Sequence, residues 1–389
     1  MIKRDITAEL LEAAGEYPVV TVFGPRQSGK TTLVKMAFPG KSYYSLEDPD
    51  VRMAAETDPR GFLDNLKDGA VLDEIQRMPQ LLSYIQGIVD RLNKPGIFIL
   101  TGSHQPELHQ AVSQTLAGRT AVLKLLPFSL SELLNYKKNW DAYELISKGS
   151  YPRVHEENLK PARFFNSYMQ TYVERDIRAL INLKDLTTFQ QFVRLLAGRI
   201  GQIVNYASLS NDVGVSATTI KNWISVLKAS FVVFELPPFF QNISKRVVKS
   251  PKIYFNDTGL GAYLIGIETP EQAFRDPLRG GLFENLVITE ILKEHLNCGE
   301  NPELFFYRDT HGNEVDLIIR KGRKLIPVEI KSAATFTPDF LRGIEQFQKT
   351  AGERCAPGFV CYNGSEEYTL KGIRVLNPIK NGRVLKNYP

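Results

Sequence analysis

Residues 18–31 read Pro-Val-Val-Thr-Val-Phe-Gly-Pro-Arg-Gln-Ser-Gly-Lys-Thr. The first six form a short apolar run rich in β-branched side chains, which predicts a buried parallel strand. The next eight, Gly24-Pro25-Arg26-Gln27-Ser28-Gly29-Lys30-Thr31, fit the spacing G-x-x-x-x-G-K-[ST], and 32–37 continue as a helical stretch. Strand, glycine loop and helix in that order make a P-loop. In such a loop the backbone N–H groups and the helix N-terminus cradle phosphates. Lys30 reaches the β- and γ-phosphates, the Thr31 hydroxyl helps to hold Mg²⁺, and Arg26 is a further phosphate contact. Gly24 and Gly29 allow conformations and close approaches that a Cβ would block. The alternative, a chance match in a glycine-rich turn, is disfavoured because both flanks are present.

Downstream segments fit the same site. Ala70-Val71-Leu72 is an apolar run ending in Asp73-Glu74, the form of a Walker B strand. Asp73 would bind Mg²⁺ through water and Glu74 would polarise the attacking water; the alternative is a solvated turn. Residues 96–103 give another buried strand ending in Ser103, either a polar sensor of the γ-phosphate or a helix N-cap. A fifth strand is expected at Ala121–Leu126. Just before it, Arg119 in Ala-Gly-Arg-Thr is either a finger pointing at a neighbouring subunit's nucleotide or a surface arginine.

A chain of 389 residues is too long for one ordinary core, so two or three domains are expected. Hydrophobic content of 43% and charged content of 23% suit a soluble globular protein. No apolar run has membrane-spanning length and the N-terminus lacks a signal-peptide stretch, so no membrane partner is expected. Cys298, Cys355 and Cys361 lack metal-ligand spacing and read as free thiols in a reducing, cytoplasmic setting. The net charge of +5 is uneven: −1 over 1–150, +6 over 151–260 and 0 over 261–389. That excess in the middle is what a nucleic-acid reading would use.

The middle region is expected to be helical over 161–183 and 188–205. From Tyr206 it reads as helix-turn-helix: Leu209 and Val213 face inward, Gly214 makes the turn, and Ser216 caps a second helix with the apolar stripe Ile220, Trp223, Ile224 and Leu227. Strand-like runs at Phe231–Leu236 and Lys252–Phe255 flank Lys245, Arg246 and Lys249, the order of a winged helix with a basic tip. Thr218, Thr219, Lys221 and Asn222 would then approach a nucleic-acid groove while Lys245, Arg246 and Lys249 contact phosphates. The alternative is a winged helix used only for packing.

In the last third, 281–296 reads as an amphipathic helix with Glu284 near its start. Glu314-Val315-Asp316 opens one strand, and Leu325-Ile-Pro-Val-Glu329-Ile-Lys331 is the next, one hairpin later. Asp316 and Glu329 can therefore converge, and Glu329 and Lys331, two residues apart, share a sheet face. Two carboxylates and a lysine on one face suit Mg²⁺-dependent phosphodiester hydrolysis. An ordinary strand-face ion pair and an inactive scaffold are the alternatives.

Together with Leu116–Arg119, Pro127–Glu132, Tyr172–Asp176 and Phe255–Gly259, these segments resemble a widespread prokaryotic family of AAA-type ATPases. The resemblance implies an α/β protein: a P-loop AAA+ ATPase domain (1–150), a helical and winged-helix domain (151–262) and a PD-(D/E)xK nuclease-like domain (263–389). Within the nuclease-like pattern, Asp316 and Glu329 match the metal ligands, Lys331 the catalytic lysine and Glu284 the supporting helix acid. Val315 stands where a proline is frequent. The expected function is an ATP- and Mg²⁺-dependent homo-oligomer, with a hexamer as the candidate ring, that remodels DNA and cuts it, with branched DNA in repair or recombination as one concrete form. The alternative is a nucleotide-controlled switch or interaction protein with an inactive nuclease-like domain.

Overall fold

In a computed structural model, which describes residues 2–66, 68–103, 111–112, 114–173, 186–239 and 250–383, the 18–23 run becomes strand β1 (Val19–Gly24), buried along its whole length. Four parallel partners complete its sheet: β2 (Ser42–Ser45), β3 (Ala70–Asp73), β4 (Phe98–Ser103) and β5 (Thr120–Lys124), in the order β2-β3-β4-β1-β5. Successive residues of a strand face opposite ways. Val20 and Val22 accordingly pack with helices Thr7–Glu16 and Lys30–Ala37, while Val19 and Phe23 pack with the Leu81–Leu92 side. Each such fully buried side chain contributes about 1.5–3 kcal/mol. Because all five strands run the same way, Gly24, Ser45, Asp73 and Ser103 emerge at one edge of the sheet. The edge strand β2 carries Ser-Tyr-Tyr-Ser, which has no apolar run to announce it.

From Phe128 onward most buried residues belong to another core, which reaches through the middle and C-terminal segments to Ile379, while two smaller clusters, around Val315, Ile318 and Phe347 and around Ile344, Val360 and Val375, form separately in the C-terminal third. Helix Tyr206–Val213 is capped by Asn205 and closed by Gly214 at φ +76, and Ser216 accepts from the Thr219 N–H to start Ala217–Ala229. Leu209, Val213, Ile220, Trp223, Ile224 and Leu227 are buried as the spacing predicts. Strands β6 (Val233–Leu236) and β7 (Lys252–Phe255) form an antiparallel pair. The helix expected over 188–205 is Leu186–Ala197; Gly198 and a turn end it early. The one expected over 161–183 is helical at Pro161–Tyr168 and then widens into a single π-turn, Met169–Val173. Lys245, Arg246 and Lys249, and residues 174–185, lie outside the described residues.

The C-terminal sheet has the order β12-β13-β11-β10-β9-β8, built from β8 (Glu303–Arg308), β9 (Glu314–Lys321), β10 (Lys324–Lys331), β11 (Phe359–Tyr362), β12 (Tyr368–Leu370) and β13 (Ile373–Leu376). β8, β9 and β10 are antiparallel, while β11 joins β10 in parallel. Helix Arg279–Asn297 packs on β10 and on β7, so the middle and C-terminal segments share it. Among the described residues no helix is long and apolar enough to cross a membrane.

Candidate functional site

The glycine loop fits an anion cradle. Gly29 adopts φ +91, and a Cβ on Gly24 would overlap the Leu125 carbonyl. Lys30 is only 5% exposed, and its Nζ donates to the Gly24 and Pro25 carbonyls at 3.1 and 2.8 Å, which holds the ammonium over the loop. Ser28 Oγ and Gln27 Oε1 are buried with no hydrogen-bond partner. Unpartnered polar atoms at such depth are costly, and a phosphate and its waters would satisfy them. Arg26 lies 3.8 Å from the Glu47 carboxylate, so its phosphate contact would compete with an ion pair.

Behind the loop, Asp73 is the convergence point. Its Oδ2 accepts from Thr31 Oγ1 at 2.7 Å and from the Tyr43 hydroxyl at 2.5 Å, and its Oδ1 accepts from Thr101 Oγ1. Thr31 and Asp73, the expected Mg²⁺ pair, are thus brought together, and the site fits that ion. Burial, then the contact with Asp73, raises the Tyr43 phenol above its ordinary pKa. Glu74 has φ +59, a left-handed backbone that costs a non-glycine residue about 1–3 kcal/mol and concentrates at functional sites. The Gln76 amide donates to Glu74 Oε2 and, at 2.8 Å, to Ser103 Oγ, so Glu74 and Ser103 sit one side chain apart. Tyr43, Thr101 and Gln76 were not legible as site residues; only packing brings them there.

Arg119 lies elsewhere. Its carbonyl accepts from Val19 N at 3.1 Å, and Thr120 pairs with Val19, so it sits at the opposite end of β1 from the loop. Five residue steps at about 3.3 Å put roughly 16 Å between the two ends. Its guanidinium grips Asp90 at 2.5 and 2.9 Å. Within one chain it is too far from the glycine loop to touch a phosphate held there.

A cavity of about 270 Å³ adjoins the loop, lined among others by Arg4, Thr7, Gly29, Thr32, Met36 and Pro152. Arg4 anchors this corner. It donates to the Ser28 and Leu126 carbonyls, both at 2.6 Å, pairs with Glu132 at 3.0 Å, and lies 5.0 Å from the centre of the Phe128 ring. No sequence signal singled it out, because its partners are 24 to 128 residues away.

The C-terminal residues also converge. Asp316 is 9% and Glu329 8% exposed. Lys331 Nζ lies 2.5 Å from Glu329 Oε1 and 3.5 Å from Asp316 Oδ2, which also accepts from Ile330 N at 2.8 Å. Glu284 is held from the middle segment: Lys252 Nζ lies 3.0 Å from its Oε1 and the Tyr254 hydroxyl donates to the same atom at 2.5 Å. Lys252 also pairs with Glu314 at 2.7 Å. Burial, then the Asp316 charge, pushes the Glu284 and Glu329 carboxyls above the ordinary carboxylate range. Burial opposes the Lys331 ammonium, but Asp316 and Glu329 outweigh it and hold the lysine charged. Glu329 Oε2 is buried without a partner, an acceptor that a divalent cation would satisfy. Among the described residues no group of three or more His, Cys, Asp or Glu side chains is arranged to hold a metal. Asp316 and Glu329 would therefore supply two ligands, with the rest from water or substrate. Lys252 and Tyr254 carried no motif signal. In the helix-turn-helix, Thr218, Lys221 and Asn222 are exposed, and Lys221 Nζ lies 5.3 Å from the centre of the Tyr206 ring.

An AAA domain family model matches residues 16–134, and two models described as domains of unknown function match 139–271 and 279–381. Uncharacterized proteins of Mycobacterium tuberculosis and Mycobacterium bovis are each 32% identical over 339 residues, covering 86% of this chain and 74% of theirs. A Walker-type ATPase of Pyrococcus abyssi superposes with a TM-score of 0.46 at 13% identity, over 68% of this chain and 96% of its own.

Proposed function

The chain belongs to the family of its mycobacterial relatives and carries an AAA-type ATPase unit, and from that premise we propose that it hydrolyses ATP at Gly24–Thr31 to drive action on DNA by its C-terminal acidic pocket. The observation that carries the ATPase reading is the meeting of Thr31 and Asp73 behind a buried Lys30. Lys30 would leave the loop carbonyls for the β- and γ-phosphates. Thr31 and Asp73 would hold Mg²⁺, which supplies charge neutralisation of the phosphates. Glu74 takes a proton from the attacking water, and Ser103 contacts the γ-phosphate. Arg119 completes the site of a neighbouring copy, which makes the working form an oligomer, with a ring of six as the candidate.

In the C-terminal pocket, Asp316 and Glu329 would hold a divalent cation, whose contribution is Lewis-acid activation of a phosphodiester. Lys331 orients the attacking water and offsets developing charge. Glu284, fixed by Lys252 and Tyr254, supports the electrostatics from the helix. The winged-helix order of the middle region, with Lys221, Lys245, Arg246 and Lys249, would supply DNA contacts. A second reading has one observation in its favour. Lys331 already neutralises Asp316 and Glu329, which suits a nuclease-like scaffold retained in a nucleotide-controlled switch.

The test is ATPase rate with and without linear and branched DNA, alongside Mg²⁺-dependent cleavage, for the wild type, Lys30→Ala and Lys331→Ala. The proposal expects DNA-stimulated turnover that Lys30→Ala abolishes and cleavage that Lys331→Ala abolishes. No stimulation and no cleavage on any substrate would leave the switch reading, which instead expects oligomerisation or partner affinity to follow the nucleotide.

A further inference from the structure

Gln76 stands outside the nucleotide motif, yet its side chain joins two groups expected to work on the same water. The amide nitrogen donates both to Glu74 Oε2 and to Ser103 Oγ, the latter at 2.8 Å. The amide oxygen, Gln76 Oε1, is buried and accepts no hydrogen bond. A primary amide donates from its nitrogen and accepts at its oxygen, at separate corners of one neutral group. Here the donor corner is fully used inside the protein and the acceptor corner is left over. The local backbone is built for this placement. Glu74 takes its left-handed conformation, its N–H reaches Thr101 Oγ1 at 3.4 Å, and Ile75–Arg77 forms a short 3₁₀ turn that brings Gln76 back over Glu74. A left-handed glutamate is costly, and the bond from Gln76 is a return on it.

We propose that Gln76 is a positioning residue for ATP hydrolysis: it fixes the Glu74 carboxylate against Ser103, so that base and γ-phosphate sensor hold one geometry around the lytic water. The inference rests on the ATPase reading of the Gly24–Thr31 site. In the step it serves, the water oxygen bonds to the γ-phosphorus, the bond from that phosphorus to the bridging oxygen of ADP breaks, and the water's proton passes to Glu74. Gln76 takes no part in the bond changes. Its contribution is orientation: a base able to rotate off the water loses much of the advantage of a preset geometry.

The experiment is steady-state ATP turnover and ADP affinity for five full-length proteins: wild type, Gln76→Met, Gln76→Asn, Glu74→Gln and the Glu74→Gln, Gln76→Met double variant. Methionine keeps the length of glutamine and removes the donor. Gln76→Met is expected to lower kcat by about 10- to 100-fold, with KM for ATP, ADP affinity and melting midpoint close to the wild type. In the Glu74→Gln background the same change is expected to alter kcat less than twofold, because the group it positions is already lost. Gln76→Asn with its amide one methylene short should fall between wild type and Gln76→Met. Three results overturn the proposal: a Gln76→Met kcat within twofold of wild type, an equal loss in both backgrounds, or a loss carried by KM and ADP affinity. A wild type with no Mg²⁺-dependent ATP turnover overturns the ATPase reading itself, and this inference with it.

Discussion

Replacing Arg4 by methionine tests how firmly the glycine loop is tied to the rest of the molecule. Arg4 is 7% exposed and Glu132 is fully buried. Methionine keeps much of the side-chain stem beside Phe128 but deletes three charge-assisted hydrogen bonds, to Glu132 Oε1, the Ser28 carbonyl and the Leu126 carbonyl. Breaking one side of a buried ion pair costs about 3–5 kcal/mol, because the partner charge stays buried. Glu132 retains the N–H groups of Asp5 and Ser129, at 2.7 and 2.9 Å, which favours the lower figure. At about 2–4 °C per kcal/mol for a unit of this size, the midpoint should fall by roughly 6–12 °C. Scanning calorimetry of wild type, Arg4→Met, Glu132→Gln and the double variant reads this directly. The double variant should be more stable than the sum of the single losses predicts, since neutralising Glu132 removes the stranded charge. ATP should also raise the midpoint of Arg4→Met less than that of wild type, because the Ser28 carbonyl loses its anchor. A fall below 2 °C, or strict additivity, would refute the reasoning.

Three further outcomes are expected. His155 is buried, and burial lowers its pKa to about 4, the hydrogen bond with the Gly149 carbonyl opposing and the charges of Lys148 and Lys293 assisting. Its neutral form therefore supports the fold above the unfolded value of about 6.5, and that support is lost as pH falls toward 4, by about 2 kcal/mol at pH 5; urea midpoints at pH 7 and pH 5 should differ less in His155→Gln than in wild type. Alkylation at neutral pH should label exposed Cys298 first and leave Cys361 intact, since full burial raises its thiol and blocks access; equal labelling in the folded state would contradict the packing. Mg²⁺ or Mn²⁺ binding at the C-terminal pocket should release protons near neutral pH, because burial and the Asp316 charge push the Glu329 carboxyl up to about 8 against the opposing Lys331 ammonium; calorimetry in two buffers of different ionisation enthalpy measures it, and Asp316→Asn should abolish both binding and release.

What the sequence announced was what local periodicity and short spacing encode. β1, β3, β4, the loop, the capped helix after Ser216 and the β9–β10 hairpin all carry their signals in short contiguous stretches, the longest of them Glu314–Lys331. β2 was missed because Ser-Tyr-Tyr-Ser has neither an apolar run nor alternation, and its place is set by pairing with β3. The same reason hides Tyr43, Thr101, Arg4, Lys252 and Tyr254: each reaches its site by a contact 28 or more residues away, or, for Arg4, by three contacts 24, 122 and 128 residues away at once. Gln76, two residues from Glu74, was within reach of the motif, but the bond to Ser103 that gives it meaning spans 27 residues. For Arg119 the residue was visible and its position was not; only the pairing of Val19 with Thr120 puts it at the far end of the strand.

The central claim is that the convergence of Lys30, Thr31 and Asp73 is a working hydrolytic site. Single-turnover hydrolysis of ATP with enzyme in excess tests it most directly, comparing wild type with Lys30→Ala and Asp73→Asn in the presence and absence of Mg²⁺. The account predicts Mg²⁺-dependent conversion to ADP and phosphate by the wild type, and losses of 100-fold or more in both variants, on the order of 3 kcal/mol of transition-state stabilisation. Wild-type hydrolysis that survives Lys30→Ala undiminished, or no hydrolysis at all with Mg²⁺ present, would contradict it.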